Sequence, residues 1–295
     1  HGLDVDLRVV QFYDDSQIRS IFPDTVFNKL RVKFFFIVER LQVLFKISHK
    51  KYLYKFSTGS TGLKLSGHTL VERADIIHLH WVNFGFVSIS EIAELSKKKT
   101  VFWTQHDMWS FTGGCHYAWD CKLYSKNCYR CPAIIGSDPF KISNKFLINK
   151  HKVISKLNHG VLAASQELYM QIKNSMLFKD TYIKKLLLSV DLNTFRSYSK
   201  SYSRNKLGLP INKKIILYGN QSLKLKRKGS KEFFKSIESL VLLRPKTIED
   251  TLIVILGKEP VNIKLSIPYI NLGYLNNLED LVYAYNSSNF FVCSS

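Results

Sequence analysis

A histidine and an aspartate at positions 106 and 107 are the residues of this sequence best suited to chemistry. They end an apolar run, Val101 to Thr104, whose β-branched and aromatic residues predict a buried strand. An imidazole titrates near neutral pH, so His106 can take a proton from a hydroxyl group or stabilise a developing charge, and Asp107 can orient its ring. The alternative is that the pair only caps the following loop and holds its backbone.

Four of the five cysteines follow this pair, after a turn at Gly113–Gly114. Their spacing is C-x5-C-x6-C-x2-C, and they are Cys115, Cys121, Cys128 and Cys131. A C-x2-C step is typical of a tetrahedral thiolate site, so a structural Zn²⁺ is favoured. Two disulfides and four free thiols are the alternatives, and disulfides are disfavoured in a reducing compartment.

An earlier segment, Ala74–Phe86, also predicts a buried strand that ends in polar and aromatic residues. Adjacent strand ends of a parallel sheet face the same crevice, so we expect His80, Trp81 and Asn83 to lie near His106. The alternative for a histidine on a strand is a hydrogen-bonded core residue.

In the second half, Tyr218–Phe234 predicts a strand, a basic loop and a helix that opens at Gly229 and Ser230. Basic side chains precede that helix, whose first N–H groups also favour anions, so the segment suits a diphosphate. The candidate residues for this anion site are Gly219, Lys224, Lys226, Arg227, Lys228 and Gly229. The segment lacks the Walker pattern.

The charge of the chain is strongly basic: 43 Lys and Arg stand against 23 Asp and Glu, a formal net charge of +20 in 295 residues. Such an excess favours an anionic partner, although a lysine-rich solvated surface would also account for it. Residues 26–56 alternate basic and apolar residues and predict a basic amphipathic helix, suited either to an anionic membrane or to packing on the core. No nucleic-acid readout motif is present, so no nucleic-acid partner is expected.

Short apolar runs alternate with amphipathic ones along the whole chain, which predicts an α/β protein with parallel sheets. A polar stretch near residues 190–212 separates two such series. We therefore predict two Rossmann-like domains: residues 1–192, which carry the Cys-rich loop 113–132, and residues 193–295. The predicted strands are Val5–Val10, Asp75–His80, Thr100–Thr104, Gly160–Ala163, Lys185–Ser189, Lys214–Tyr218, Thr251–Leu256, Tyr269–Leu272 and Phe290–Cys293. The predicted helices are Ile89–Lys97, Ile142–Leu157, Gln166–Asn174, Lys231–Leu243 and Leu278–Tyr285.

Three motifs in this order resemble a bacterial glycosyltransferase of family 4, of the capsular or exopolysaccharide type. They are HLHWVNFGF (His78–Phe86), the WTQHDMWSFTGGCHYAWDC block with its later cysteines (Trp103–Pro132), and RKG (Arg227–Gly229). The resemblance implies a GT-B fold and retaining transfer of a sugar from a nucleotide-sugar to a lipid-linked or saccharide acceptor, with no cofactor for catalysis. It places His106 near the transferred sugar, and Arg227 and Lys228 at the leaving diphosphate. It also implies a cytoplasmic protein, peripheral on the inner membrane face.

The chain departs from this family pattern at both ends. The family is expected to have a first strand with a Gly-rich turn and a late Glu-x7-Glu pair, and this sequence shows neither. The resemblance therefore implies a fragment that transfers no sugar alone. The rival interpretations are a non-catalytic, basic, zinc-containing protein that binds nucleic acid or lipid, and an inactive relic. Steeply salt-dependent DNA binding without nucleotide-sugar affinity would favour the first rival.

Overall fold

The computed structural model describes residues 4–9, 19–154, 159–179, 181–258 and 264–294. The chain divides into two compact units, His1–Leu188 and Ser189–Ser295, where the sequence predicts a boundary at residue 192. Each unit contains a four-stranded parallel sheet with helices between its strands, so the predicted α/β class is confirmed. No helix within the described ranges is long and apolar enough to cross a membrane.

The first unit is built on a sheet of order β3-β4-β5-β6, and the two short strands β1 and β2 pair separately. Its helices and strands, in chain order, are β1 (Arg8–Val9), β2 (Arg19–Ser20), α1 (Val26–Leu44), α2 (Thr69–Arg73), β3 (Ile76–Leu79), α3 (Ile89–Lys98), β4 (Thr100–Gln105), α4 (Ile142–Ile154), β5 (His159–Ala163), α5 (Gln166–Lys173) and β6 (Ile183–Lys185).

Strand β4 lies inside this sheet, between β3 and β5. Its side chains at Trp103 and Thr104 point to opposite faces of the sheet and are both buried, as expected of a parallel strand covered on both faces. The register pairs Leu79 of β3 with Trp103 and ends β4 at Gln105, so the residues that follow β3 and β4 emerge at the same edge. This register places the histidines of the two sequence motifs side by side.

Helix α1 is held against the unit by one face. Thr25 caps its N-terminus by accepting a hydrogen bond from the Asn28 N–H, at 3.2 Å. The side chain of Val43 is completely buried, and Val32 and Phe35 pack against the main core of the unit. The sequence left open whether this basic amphipathic segment packs on the core or lies on a membrane. In the structure, its inner face packs on the core.

The second unit has a sheet of order β10-β7-β8-β9. Its elements are α6 (Lys200–Lys206), β7 (Lys214–Gly219), α7 (Ser230–Leu243), α8 (Thr247–Asp250), β8 (Thr251–Leu256), β9 (Tyr269–Gly273), α9 (Leu278–Ser287) and β10 (Phe290–Val292). The chain proceeds from β7 to β9 in one direction and then returns to add β10 on the other side of β7. The strand order therefore reverses between β7 and β10, the position where open α/β sheets bind ligands.

Two sequence predictions fail at element ends. The strand predicted at Lys185–Ser189 is wrong, because β6 ends at Lys185 and the leucines at 186–188 are exposed. An apolar run alone predicted that strand, and these leucines instead face solvent near the division between the units. The strand predicted at Val5–Val10 is represented by the two residues of β1, while Val10 lies outside the described residues, as do residues 155–157 of the predicted helix 142–157.

Candidate functional site

Two histidines meet at the carboxyl edge of the first sheet, as the sequence predicts. His80 follows β3 and His106 follows β4, and His80 Nδ1 shares a hydrogen bond with His106 Nε2 at 2.9 Å. Their rings are stacked with centroids 5.2 Å apart, and both residues are exposed. The pair is therefore accessible to a ligand at this edge.

A third histidine supports the pair from within the sheet. The ring of His78 lies 4.4 Å from that of His80, and its Nε2 shares a 2.8 Å hydrogen bond with the hydroxyl of Thr104. Burial lowers the pKa of His78, and the charge of His106 lowers it further. Partial desolvation likewise lowers the pKa of His80, whose ring remains accessible, and the charges of His78 and His106 lower it further. Both rings are thus neutral at neutral pH, and His106 has an uncharged partner.

The hydrogen bonds of Asp107 are made with residues other than the adjacent His106. Its Oδ2 accepts hydrogen bonds from Trp81 Nε1 at 2.9 Å and from His116 Nδ1 at 2.6 Å, and its Oδ1 accepts one from the Trp109 N–H at 2.9 Å. Burial raises the pKa of Asp107, but these three hydrogen bonds outweigh it and hold the pKa below its ordinary value. The expectation that Asp107 orients His106 is not met, because the structure pairs His106 with His80.

A buried chain of polar groups continues from Asp107 away from the solvent. His116 shares a 2.9 Å hydrogen bond through Nε2 with the hydroxyl of Ser57, which also accepts one from Arg40 at 3.2 Å. Ser57, His116 and Asp107 are hydrogen-bonded in the same sequence as the serine, histidine and aspartate of a hydrolase triad. Ser57 is only 1% exposed, however, and so cannot contact a substrate. This Asp107–His116–Ser57 relay holds in place the loop that follows β4.

Arg40 connects the relay to helix α1. Its guanidinium pairs with Glu39, also donates to the Phe56 carbonyl at 3.1 Å, and lies 4.1 Å above the ring of Phe84. Both partners of the ion pair are buried, and burial lowers the pKa of Arg40 against the opposing effect of Glu39. The sequence analysis missed Arg40 and Ser57, because nothing in their local sequence marks them.

The remaining predicted residues of this edge are brought together. One small pocket is lined by residues from both strand ends and the following loop, among them His80, Trp81, Asn83, His106, Asp107 and Ser110. Asn83 and Ser110 are buried, and in the part of the chain that the structure describes Asn83 Oδ1 and Ser110 Oγ have no hydrogen-bond partner. Trp81 is exposed, with its indole N–H fixed by Asp107.

The Cys-rich loop follows the pocket residues in the chain and is held by buried contacts. Gly114 has a φ of +143° and lies against the ring of Phe56, so only glycine fits there. Lys150 of α4 is buried under the loop, where its Nζ donates to the carbonyls of Trp109 at 2.5 Å and Thr112 at 3.0 Å. Burial lowers the pKa of Lys150 to about 7.

The four cysteines of the loop are free thiols in the structure. A hydrogen bond from Cys115 lowers the pKa of the Cys131 thiol to about 6, and burial raises that of Cys128 to about 12. Within the described ranges, no three His, Cys, Asp or Glu side chains are grouped so as to hold a metal ion. The zinc prediction for Cys115, Cys121, Cys128 and Cys131 therefore gains no support from the geometry.

In the second unit, the predicted anion-binding residues gather at the switch point between β7 and β10. Gly229 has a φ of +66° and lies against Ser294, whose hydroxyl donates to the carbonyls of Lys228 and Gly229 at 3.1 and 2.9 Å. The hydroxyl of Tyr218 also donates to the Lys228 carbonyl, at 2.8 Å. These bonds fix the backbone that carries Arg227 and Lys228, directly before α7.

The other residues of this loop surround that point. Gly219 ends β7 and packs against Leu256 of β8, where an added Cβ would lie 2.6 Å from the Leu256 Cβ. Lys224, Lys226 and Arg227 are exposed, and Lys228 is half-buried. The fixed backbone, the basic side chains and the N-terminus of a 14-residue helix together suit a phosphate group.

Comparison with known proteins finds similarity to a curated protein and to solved structures. No protein-family model matches the chain. A putative colanic acid biosynthesis glycosyl transferase of Escherichia coli (strain K12), WcaC, is 26% identical over 103 residues, which cover 34% of this chain and 25% of the relative. The matched segment thus spans a quarter of that relative's length.

The solved structures include a sucrose-phosphate synthase of Thermosynechococcus elongatus. The match covers 78% of this chain and 51% of the synthase. The sequence identity is 14% and the TM-score is 0.47, a likeness too distant to carry an argument. The two Rossmann-like units are, in number and type, the components of a GT-B fold. In sequence, the chain is similar to a bacterial glycosyltransferase of polysaccharide biosynthesis, as its motifs predicted.

Proposed function

We propose that this chain is a retaining, hexosyltransferase-type glycosyltransferase of cell-surface polysaccharide synthesis. It would move a sugar from a nucleotide-sugar donor to a lipid-linked or saccharide acceptor. The observation that carries the proposal is the exposed His106–His80 pair at the carboxyl edge of the first sheet, inside the sequence block that resembles the family. The similarity to the colanic acid glycosyl transferase supports the substrate class.

The acceptor is assigned to the pocket of the first unit. His106 would hold the acceptor hydroxyl or the transferred sugar, and its neutral partner His80 leaves it free to take up a proton. Asn83 Oδ1 can accept a hydrogen bond from a further hydroxyl group. Trp81 offers an exposed ring face to the apolar side of a sugar, and Asp107 fixes that ring rather than taking part in proton transfer.

The donor is assigned to the switch point of the second unit. Transfer through an oxocarbenium-like transition state places negative charge on the departing diphosphate. Arg227, Lys228 and the N–H groups at the start of α7 would neutralise that charge, with Gly219 and Gly229 allowing the close approach of the diphosphate. Since side chains supply this neutralisation in the proposal, a chelator of divalent cations should leave transfer unchanged.

Three further elements of the proposal follow from the resemblance alone. The protein would act in the cytoplasm, peripheral on the inner membrane face. A structural zinc on the four cysteines stays a prediction. So does the expectation that residues 1–295 transfer no sugar alone, which turnover by this chain would overturn.

Genetic complementation tests the proposal without depending on the purified chain. A strain in which the gene is disrupted should lose a surface polysaccharide, measured as cell-bound sugar after hydrolysis. The wild-type gene should restore it, and the His106→Ala gene should not. His49→Ala is the matched control, because His49 is an exposed histidine outside the pocket, and it should restore the polysaccharide fully.

Restoration by His106→Ala would contradict the assignment of the site. An unchanged polysaccharide in the disrupted strain would contradict the function. In that case, steeply salt-dependent DNA binding by the purified protein, with no affinity for nucleoside diphosphates, would establish the non-catalytic rival.

A further inference from the structure

The outward face of α1 carries an uninterrupted apolar stripe. Six positions spaced alternately by three and four residues lie on one side of this 19-residue helix. All six are large, apolar and between 38% and 73% exposed: Phe27, Leu30, Phe34, Ile37, Leu41 and Leu44. Single exposed apolar residues are ordinary on protein surfaces, but a contiguous patch of this kind marks a site of interaction.

The opposite face fixes the orientation of the stripe. Val32 and Phe35 pack on the core, and Glu39 and Arg40 form a buried ion pair whose guanidinium donates to the Phe56 carbonyl. Rotating α1 to hide the stripe would break the hydrogen bonds from Arg40 to Phe56 and Ser57 and carry the buried ion pair out of its site. The stripe is therefore held outward by the fold.

The exposed charges on α1 and directly after it are basic. Lys29, Arg31 and Lys33 occupy the first two turns, and Lys46, Lys50 and Lys51 follow the helix. Glu39 is the only acidic residue of α1, and it is buried against Arg40. Lys29 also pairs with Asp24 at 2.6 Å, just before the helix, which reduces its own contribution.

We propose that this face of α1 docks on an anionic lipid bilayer, with the helix lying in the plane of the membrane surface. An apolar stripe with basic flanks is the surface that inserts between lipid chains while its cations meet anionic headgroups. A second copy of the chain would bring the same basic flanks together, and like charges across an interface oppose association. Nucleic acid would neutralise the basic side chains but would leave the apolar stripe exposed to water, so it explains only half of the surface.

The helix that carries the docking face lies close to the candidate site through another of its sides. Phe36 of α1 contacts the ring of Phe84 with centroids 6.1 Å apart, and Phe84 contacts Trp81 at 4.7 Å. If the proposed function holds, a membrane-docked α1 brings the acceptor pocket to the surface in which a lipid-linked acceptor is embedded. Docking itself does not rest on that function.

Co-sedimentation with vesicles tests the proposal. The protein should sediment with vesicles of phosphatidylcholine and phosphatidylglycerol and stay in solution with phosphatidylcholine alone. Each basic residue near such a surface strengthens binding about five-fold, so Lys29→Gln/Arg31→Gln/Lys33→Gln should weaken binding by roughly 10- to 100-fold. Phe27→Ser/Phe34→Ser keeps the charge and should weaken binding by roughly 10-fold or more, because these rings would no longer be buried in the bilayer.

A matched control separates the helix from the general charge of the protein. Lys64→Gln/Lys173→Gln/Lys179→Gln removes the same number of charges from exposed positions of the first unit outside α1, and its binding should stay close to that of the wild type. Unchanged unfolding curves for all variants would show that each one folds.

Four results would overturn the proposal. They are no binding by the wild type, equal binding to both kinds of vesicle, an equal loss in the control, and a solution dimer that Phe27→Ser/Phe34→Ser dissociates without any vesicle binding. The last result would identify a second copy as the occupant. Because vesicle binding is measured without substrate, failure here would contradict the proposed location at the membrane and leave the proposed sugar transfer standing.

Discussion

His106 and Asp107 are neighbours in the chain, yet they belong to different regions of the first unit. His106 lies in an exposed cluster of histidines whose members His78 and His80 have lowered pKa values and are uncharged at neutral pH. Asp107 begins a buried relay in which a carboxylate is held ionised by three hydrogen bonds. One region is accessible to a ligand, and the hydrogen-bonding groups of the other are occupied by its own partners.

The difference shows how, of two adjacent polar residues, one can be exposed to ligands while the other supports the fold. A strand that ends at a sheet edge sends successive side chains to opposite sides. His106 therefore faces solvent, while Asp107 turns towards His116 and the loop beneath. Substitutions in the exposed cluster should change activity, and substitutions in the relay should change stability.

The largest expected effect sharpens this comparison at His106. His106→Ala should lower the rate of sugar transfer by about 100- to 10,000-fold, the range typical of a lost general acid–base group. The free energy of unfolding should change by less than about 0.5 kcal/mol, because the side chain is exposed. The rate of polysaccharide synthesis in the complemented strain measures the first quantity, and chemical denaturation of the purified chain measures the second. A large loss of stability would place His106 in the supporting region.

Arg40→Met tests the far end of the relay. It leaves the Glu39 carboxylate buried without its partner, so we expect a loss of about 3–5 kcal/mol in the free energy of unfolding. Urea denaturation measures the loss. The double variant Glu39→Gln/Arg40→Met is the control, and it should recover part of the stability because no lone buried charge remains. A loss below about 1 kcal/mol would mean that the pair is not buried in solution.

His116→Ala breaks the middle of the relay. It removes a hydrogen-bond partner from both Asp107 and Ser57, and we expect a loss of about 2–3 kcal/mol in the free energy of unfolding. The rate of transfer should fall less than in His106→Ala, because Trp81 and Trp109 still hold Asp107. If His116→Ala instead abolished transfer without loss of stability, the roles assigned to the two regions would have to be exchanged.

The smallest effect is a dependence of stability on pH that comes from the histidine cluster. The pKa values of His78 and His80 in the folded state lie below the ordinary value of 6.5, so the unfolded chain binds protons first. Their stabilising contribution is present above pH 6.5 and is lost as the pH falls from there through the folded-state values. Unfolding curves of the wild type and of His78→Gln/His80→Gln measure it, and the variant should show the weaker dependence. Identical dependence in both proteins would refute the assignment.

The sequence predicted that His80 and His106 lie together, because that prediction needed only strand ends and their order. His80 and His106 each follow a recognisable strand, and parallel neighbours bring such ends together. In the second unit the same reasoning located Lys228 and Gly229 before a helix. The prediction of a strand at Lys185–Ser189 was wrong, because an apolar run does not reveal whether other parts of the protein pack over it.

The relay could not be predicted in this way. Ser57 and His116 are 59 positions apart, and Arg40 is 17 positions from Ser57. Nothing in the segments around Arg40 and Ser57 marks them as partners, because their contacts are made only when α1 and the Cys-rich loop pack on the same sheet. Lys150 was missed for the same reason, since lysine is ordinarily a surface residue.

By itself, the sequence determined the α/β class, the strand ends that carry His80 and His106, the basic loop before α7 and the resemblance to a glycosyltransferase. These features depend on local periodicity and on motifs that are contiguous in the chain. The tertiary structure alone decided that Asp107 supports Trp81 and not His106, that Arg40 and Ser57 complete a buried relay, and that the apolar side of α1 faces outward. Each of these depends on which distant surfaces pack together, because burial changes both the partners and the charge state of a polar group.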